Sequence, residues 1–450
     1  MSHAPHATEV FGAYAQTCRD AALPDAVLHH AKRALIDWYA ALFPGLAAAP
    51  LAQLAQVLAE DLDRGGARLG NGRAATARAA ALYNGTAAHA AEIDDSFRDA
   101  MYHPGAATIA AALAAGQQAG ASGLDFLRAL VLGYEVSTRI GVVLGRAHYR
   151  FWHNTGTVGA FGAAAAAASV LRLDALPFAH ALATAATFTA GLQQAFRSDS
   201  MSKPLHAGRA AEAGLVAAQL AQQGVTGSLD VLDGEAGLGR AMSDGPDWSR
   251  VGATLGRDFH ITRLTFKNHI GCGHSFAAID AVLALRAEHP LRAADIQAIH
   301  VATYRPALDI ACHETPRTEN EARFSLRFVV ASALLHGSVR LNAYTPERLA
   351  DPELRALMAR VSTAVDPEID AAFPGRRAAR VEITTHDGRR LVWLQPDRKG
   401  DPELPLSDSE LEHKFLELAT PVIGAGPAAR LLQNIWALDQ AADLAGLAPV

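Results

Sequence analysis

Between Glu92 and Pro104 the chain reads Glu-Ile-Asp-Asp-Ser-Phe-Arg-Asp-Ala-Met-Tyr-His-Pro: four carboxylates, a hydroxyl and His103 between two apolar segments. Ionised carboxylates lose hydration at considerable cost in an apolar setting, so such a stretch either faces water or lines a polar pocket. Perturbed acids and histidines cluster at sites, which makes Glu92, Asp94, Ser96 and His103 candidates for proton transfer or anion binding.

Further polar segments carry related chemistry. In Phe151-Trp-His153-Asn-Thr155, His153 and Thr155 stand where a helix begins; free backbone N–H groups there favour an anion, although Asn154 or Thr155 could simply cap the helix. In the Ser198–Gly208 segment, Lys203 and His206 flank Pro204 ahead of another helix. A lysine there opposes the helix dipole, so it binds a carboxylate or is a solvated loop residue. Lys267-Asn-His269-Ile-Gly-Cys272-Gly-His274 has a spacing that could be read as metal ligands. Structural zinc usually takes four, however, and no fourth lies nearby, so a proton-transfer or anion-binding cluster is expected. Arg323, near a helix start, could contact an anion or be a surface charge. The glycine-rich run from Asp230 to Gly239 lacks the Gly-Lys-Ser/Thr of a phosphate loop.

The elements that must position these groups are mainly helical. Val27, Ala31, Leu35, Trp38 and Leu42 recur at helical spacing until Pro44-Gly45. Ser122 reads as the cap of a helix whose face is Phe126, Leu130, Tyr134 and Thr138. Helices are predicted over 156–172, 175–196 and 207–223. After about residue 290 the pattern changes: 296–303 reads as a strand, and 380–386 with 389–394 reads as a hairpin turning at Asp387-Gly388. Helices are expected over 321–335, 351–360, 407–418 and 427–444. The fold class expected is mainly α with α+β. A helical domain spans 1–265, with 407–450 packing back onto it, and a smaller α/β lid domain spans 266–406.

With 450 residues, half of them hydrophobic, the chain can bury a large core. Abundant alanine points to closely packed helices. A net charge of −6 and no basic run argue against a nucleic-acid partner. Three scattered cysteines form no disulfide framework, and the first residues show no basic-then-apolar leader, so a cytoplasmic compartment is expected. Gly156–Leu171, the most apolar run, is too short to be a membrane span.

Taken in order, several segments resemble the MmgE/PrpD family, which includes 2-methylcitrate dehydratase, cis-aconitate decarboxylase and iminodisuccinate epimerase. They are Asn84-Gly-Thr-Ala-Ala-His89 leading to Glu92-Ile-Asp-Asp-Ser and His103-Pro104; Gly133-Tyr-Glu-Val with Arg139; Trp152-His153 with Thr155; Lys203-Pro-Leu-His206-Ala-Gly208; Glu321-Ala-Arg-Phe-Ser325; Lys399-Gly-Asp-Pro402; and Lys414-Phe415. The resemblance implies a homodimer, a small di- or tricarboxylate substrate, and no metal or organic cofactor. It also implies site roles for Asp94, Ser96, His103, His153, Lys203 and Lys267. Glu92 stands where a shorter acid is usual, and the Lys267 segment lacks the family's proline.

On this resemblance, Lys203 and Lys267, with Arg323, would stabilise enolate-like charge, and His103 or His153 would be the base. His274 or Cys272 would reprotonate or assist the leaving group, Asp94 would orient a histidine or hold a substrate hydroxyl, and Ser96 would bond a carboxylate; Glu92, Thr155, His206 and His269 would complete substrate binding. Three functions fit: a cofactor-independent lyase (dehydratase or decarboxylase), an isomerase or epimerase of a similar acid, or a non-catalytic carboxylate-binding protein.

Overall fold

The computed structural model describes residues 4–196 and 200–448. Ser198 and Asp199, from the polar segment before Lys203, lie outside the described residues. The chain divides into two compact units, one made of residues 1–266 and 407–450, the other of 267–406.

The first unit opens with helices α1 (Ala7–Cys18), α2 (Asp25–Gly45) and α3 (Leu51–Val57), then a two-stranded hairpin of β1 (Leu62–Arg68) and β2 (Ala74–Ala75). That hairpin departs from the all-helical expectation. The Leu62–Arg68 stretch is mostly polar and glycine-containing, and five of its seven residues are exposed, so no apolar alternation marks it as a strand. Next come α4 (Ala77–Ala90), α5 (Pro104–Ala119), α6 (Gly123–Tyr149), α7 (Asn154–Val170), α8 (Ala175–Phe188), α9 (Ser202–Gln222) and the short α10 (Leu238–Met242).

Helix α7 is the centre of this unit: it packs against α5, α6, α8 and α9, and Ala163 to Ala168 are fully buried. Alanine lets backbones approach closely, and the residue at a crossing can become limiting. A Cβ on Gly208 of α9 would collide with Leu82 O and Thr86 Oγ1 of α4. Glycine there lets α9 lie against α4, which brings the first turn of α9 towards the end of α4. Ser122 caps α6 as expected, its Oγ accepting from Asp125 N at 3.2 Å. Helix α9 starts at Ser202, not after Pro204; a proline in the first turn loses no intrahelical bond, because those N–H groups have no helical acceptor.

The second unit contains α11 (Phe276–Glu288), β3 (Ile296–Thr303), α12 (Arg305–Ile310), α13 (Glu319–Arg323), α14 (Leu326–His336), α15 (Pro346–Ala350), α16 (Pro352–Met358), β4 (Val361–Val365), α17 (Pro367–Ala372), β5 (Ala379–Thr385) and β6 (Arg390–Gln395). Its sheet runs β4-β3-β5-β6, with β3 parallel to β4 and antiparallel to β5. β5 and β6 form the hairpin expected around Asp387-Gly388, where Gly388 adopts φ +88°. α11 covers β5 and β6. The single helix expected over 321–335 is two, because Ser325 starts a new one: its Oγ accepts from Phe328 N.

The chain then returns to the first unit as α18 (Asp408–Ile423) and α19 (Ala425–Trp436). Ser407 and Glu410 form a reciprocal capping box at the start of α18. The fold is thus mainly helical with a small mixed sheet in the second unit, as its pattern implied, and the unanticipated β1–β2 hairpin in the first.

Candidate active site

In the first unit, four helix ends converge. α4 delivers His89 in its last turn, and the chain then passes through Glu92, whose φ of +59° is left-handed and uncommon for a residue with a Cβ. The acid loop follows, and it ends at His103, the N-cap residue of α5, with Pro104 in the first helical position where its missing N–H costs nothing. His153 occupies the equivalent place before α7. α9 contributes Lys203 and His206 from its first two turns.

Asp94 is buried and its Oδ2 accepts from His89 Nδ1 at 2.8 Å; His103 Nδ1 lies 3.3 Å from the same oxygen. His103 Nδ1 also donates to the Asp95 carbonyl at 2.8 Å. A carbonyl can only accept, so Nδ1 carries the proton and Nε2 is the nitrogen that exchanges one in the neutral ring. Asp95 holds the same loop from beneath. Its carboxyl accepts from Gly105 N at 2.9 Å and from Tyr134 Oη at 2.6 Å, and a Cβ on Gly105 would strike both groups. Burial, reinforced by the nearby Asp37 carboxylate, pushes the Asp95 carboxyl up to about 8, so it is protonated at neutral pH.

The imidazoles form a row. Ring centroids are 4.9 Å apart for His103 and His89, 5.5 Å for His89 and His153, and 5.2 Å for His153 and His206. His153 Nδ1 and His206 Nδ1 share a hydrogen bond of 3.0 Å, one donating and the other accepting. Burial drives His153 well below the usual histidine range, helped by the neighbouring His89 and the Lys203 ammonium; His206 is lowered by the same causes. Lys203 is ion-paired with Glu92. A cavity of about 550 Å³ opens beside His206, lined also by Gly191, Ser202 and Arg209. Neutral imidazoles beside a lysine can bind anionic groups and move protons between them.

Thr155 and Asn154 do not cap α7. Thr155 Oγ1 accepts from His103 N at 3.2 Å, and Asn154 Nδ2 donates to Ala100 O at 2.7 Å, so both fasten the acid loop instead. Ser96 is half-buried and its backbone pairs with Thr265 in an antiparallel bridge.

In the second unit the polar residues are paired locally. His269 Nε2 bonds Asp280 Oδ1 at 2.8 Å, and Asp280 Oδ2 also accepts from Lys399 N. His274 Nδ1 and Tyr304 Oη are 2.8 Å apart. Burial, with Arg377 and Arg398 nearby, lowers His274 to about 4, while burial raises the Cys272 thiol to about 11. A thiol that high is a poor nucleophile. Arg323 pairs with Glu319 on its own helix at 2.6 Å and sits over the Tyr344 ring. Lys267 belongs to this unit.

Among the described residues, the converging metal-type donors are His89, Asp94 and His103, within 4.8 Å of one another, not His269, Cys272 and His274. The set fits a metal poorly: both imidazoles already use Nδ1 as a donor, to Asp94 and to the Asp95 carbonyl.

His89, Asp95 and Tyr134 were not singled out as site residues from the sequence. A lone histidine in an alanine-rich helix reads as core; the available signal was its place five residues before Asp94.

The sequence matches the family models "MmgE/PrpD N-terminal domain" over residues 9–251 and "MmgE/PrpD C-terminal domain" over 269–440. The second match runs into α18 and α19, which belong to the first unit. The chain is 29% identical to the cis-aconitate decarboxylase-like protein oryM of Aspergillus oryzae over 94% of this chain and 93% of that protein. It is 28% identical to the cis-aconitate decarboxylase of Homo sapiens over 81% of this chain and 77% of that protein. It is 25% identical to the cis-aconitate decarboxylase of Aspergillus terreus over 94% and 91%. With both family domains matched in order and nearly end to end, this chain belongs to the MmgE/PrpD family.

Proposed function

We propose that this chain is a cofactor-independent lyase that removes one carboxyl group from a small unsaturated tricarboxylate by proton transfer beside a carboxylate. The observation that carries the reading is His103, its Nδ1 proton held by the Asp95 carbonyl, in a row of imidazoles next to Lys203. The choice of decarboxylation over dehydration rests on the relatives named cis-aconitate decarboxylase.

In such a reaction the bond to the departing carboxylate breaks and its electrons form a new double bond. The old double bond takes a proton at its far carbon, and carbon dioxide leaves. His103, once its Nε2 has taken up a proton to give the imidazolium, is the proposed donor through Nε2, and it takes a proton back there from water after release. Asp94 keeps the His89 and His103 rings oriented and offsets positive charge on them. Lys203, with His153, His206, Ser96 and Thr155, binds the remaining carboxylates, and Glu92 holds Lys203 in place until substrate arrives. The proposal also gives roles to Lys267, His269, Cys272, His274 and Arg323, on the family resemblance, and takes the working form to be a homodimer in the cytoplasm.

Incubation in D₂O with cis-aconitate, 2-methylcitrate, citrate, iminodisuccinate and simple dicarboxylates, followed by NMR, tests this. The expected result is carbon dioxide release with one deuterium in the product. A vinyl signal from a hydroxy acid without carbon dioxide would replace decarboxylation by dehydration. Exchange without net product would make the protein an epimerase, and no change with any acid would remove the lyase reading.

A further inference from the structure

We infer that Lys414, on α18 near the end of the chain, is a positioning residue for the acid loop. The inference rests on the proposed reading of that loop as the active site.

Lys414 is completely buried. Its Nζ donates to Asp37 Oδ1 of α2 at 2.6 Å and to the backbone carbonyl of Ile93 at 3.0 Å. Asp37 is equally buried. A buried ion pair of this kind adds little to stability, since apolar residues of similar volume often serve as well or better. What an apolar residue cannot do is donate to Ile93 O. That carbonyl lies between Glu92, which partners Lys203, and Asp94, which partners His89 and faces His103. The loop enters through the left-handed Glu92, a conformation that persists only where its surroundings enforce it. The bond from Lys414 to the next residue's carbonyl supplies such enforcement. Further along, Asp95 fastens the loop to α5 and α6 through Gly105 N and Tyr134 Oη. The ammonium group acts through the backbone that aims Asp94, not through the imidazoles themselves.

Three variants of the full chain test this: Lys414→Met, Asp37→Asn, and the two combined, which leaves no buried charge unpaired and replaces Lys414→Met should that variant not fold. The readouts are hydrogen exchange of residues 92–97, melting temperature, and kcat and KM with cis-aconitate. Loss of Ile93 anchoring should speed exchange in 92–97 at least about tenfold while α6 and α7 stay protected. It should lower kcat by about 10–100-fold with KM changed less than about threefold, as expected when a reacting group is displaced and substrate binding is left intact. Asp37→Asn keeps the donor to Ile93, so its kcat should fall by less than about threefold even if its melting temperature drops. Equal kcat losses in Asp37→Asn and Lys414→Met, or unchanged exchange and kcat in the combined variant, would overturn the inference by leaving only an ion pair that holds helices together. If the wild-type chain turns over no acid at all, the lyase reading fails on its own. The exchange of residues 92–97 then decides the positioning role.

Discussion

In the first unit four imidazoles run in a row from His103 through His89 and His153 to His206, whereas in the second His269 and His274 are each bonded to a partner of their own, Asp280 and Tyr304. The row shares its hydrogen bonds with an acid loop and lies beside a cavity. The second unit's pairs are closed: each imidazole has a fixed neighbour, and Asp280 is also committed to Lys399 N. Burial depresses histidines in both places, so basicity alone does not distinguish them. The difference lies in connectivity. His153 and His206 share a hydrogen bond along which a proton can pass, and His89 and His103 meet at the single carboxylate of Asp94, whereas His269 is bonded to Asp280.

If that contrast governs function, His103→Asn gives the largest effect, lowering kcat by about 10²–10⁴ with little change in binding, measured by steady-state kinetics. Full turnover in that variant would break the comparison. Lys203→Met should follow, lowering kcat/KM by about 10–100-fold through loss of a charge-assisted bond to substrate, with the loss mostly in KM. In the second unit, His269→Gln should act on stability first, costing about 1–3 kcal/mol in denaturant unfolding because Asp280 loses a buried partner. A large kcat loss in a fully stable His269→Gln protein would make the second unit's dyad part of the chemistry.

Two pH effects are smaller and of opposite sign. His274 titrates near 6.5 when unfolded and at about 4 when folded. Between those values the unfolded state binds more protons, so stability falls as pH drops from about 6.5 to about 4, by at most ~3 kcal/mol. His274→Phe should flatten that slope. Asp95 behaves in reverse. Its folded carboxyl titrates at about 8 rather than 3.8; between those values the folded state binds more protons, so stability falls as pH rises from about 3.8 to about 8. Asp95→Asn, whose Oδ1 can accept from Gly105 N while its Nδ2 donates to Tyr134 Oη, should flatten that decline in thermal melts across about pH 5–8.

Much of this was legible where local chemistry is decisive. Ser122, the Asp387-Gly388 turn and the alternation of β5 each act through near neighbours, and each lies where its pattern placed it. The ordered motifs also pointed to the family by themselves. Illegible were features set by distant partners. The hairpin of β1 and β2 has no apolar face of its own. The break at Ser325 depends on a cap inside an otherwise continuous apolar pattern. The role of Thr155 as acceptor for His103 N requires knowing that α5 and α7 begin side by side. Nothing near Lys414 in the sequence marks it as the partner of a residue 377 positions away.

That separation has a consequence for how the protein is made. At a synthesis rate of about 5–20 residues per second, roughly 20–75 s pass between the appearance of Asp37 and that of Lys414. Within that interval the rest of the first unit up to Phe266 and then the whole second unit are translated, and the nascent first unit lacks α18 and the cation paired with Asp37. The acid loop therefore acquires this support only once α18 has been made, and a chain cut before α18 would carry the proposed catalytic side chains without the bond inferred to aim them.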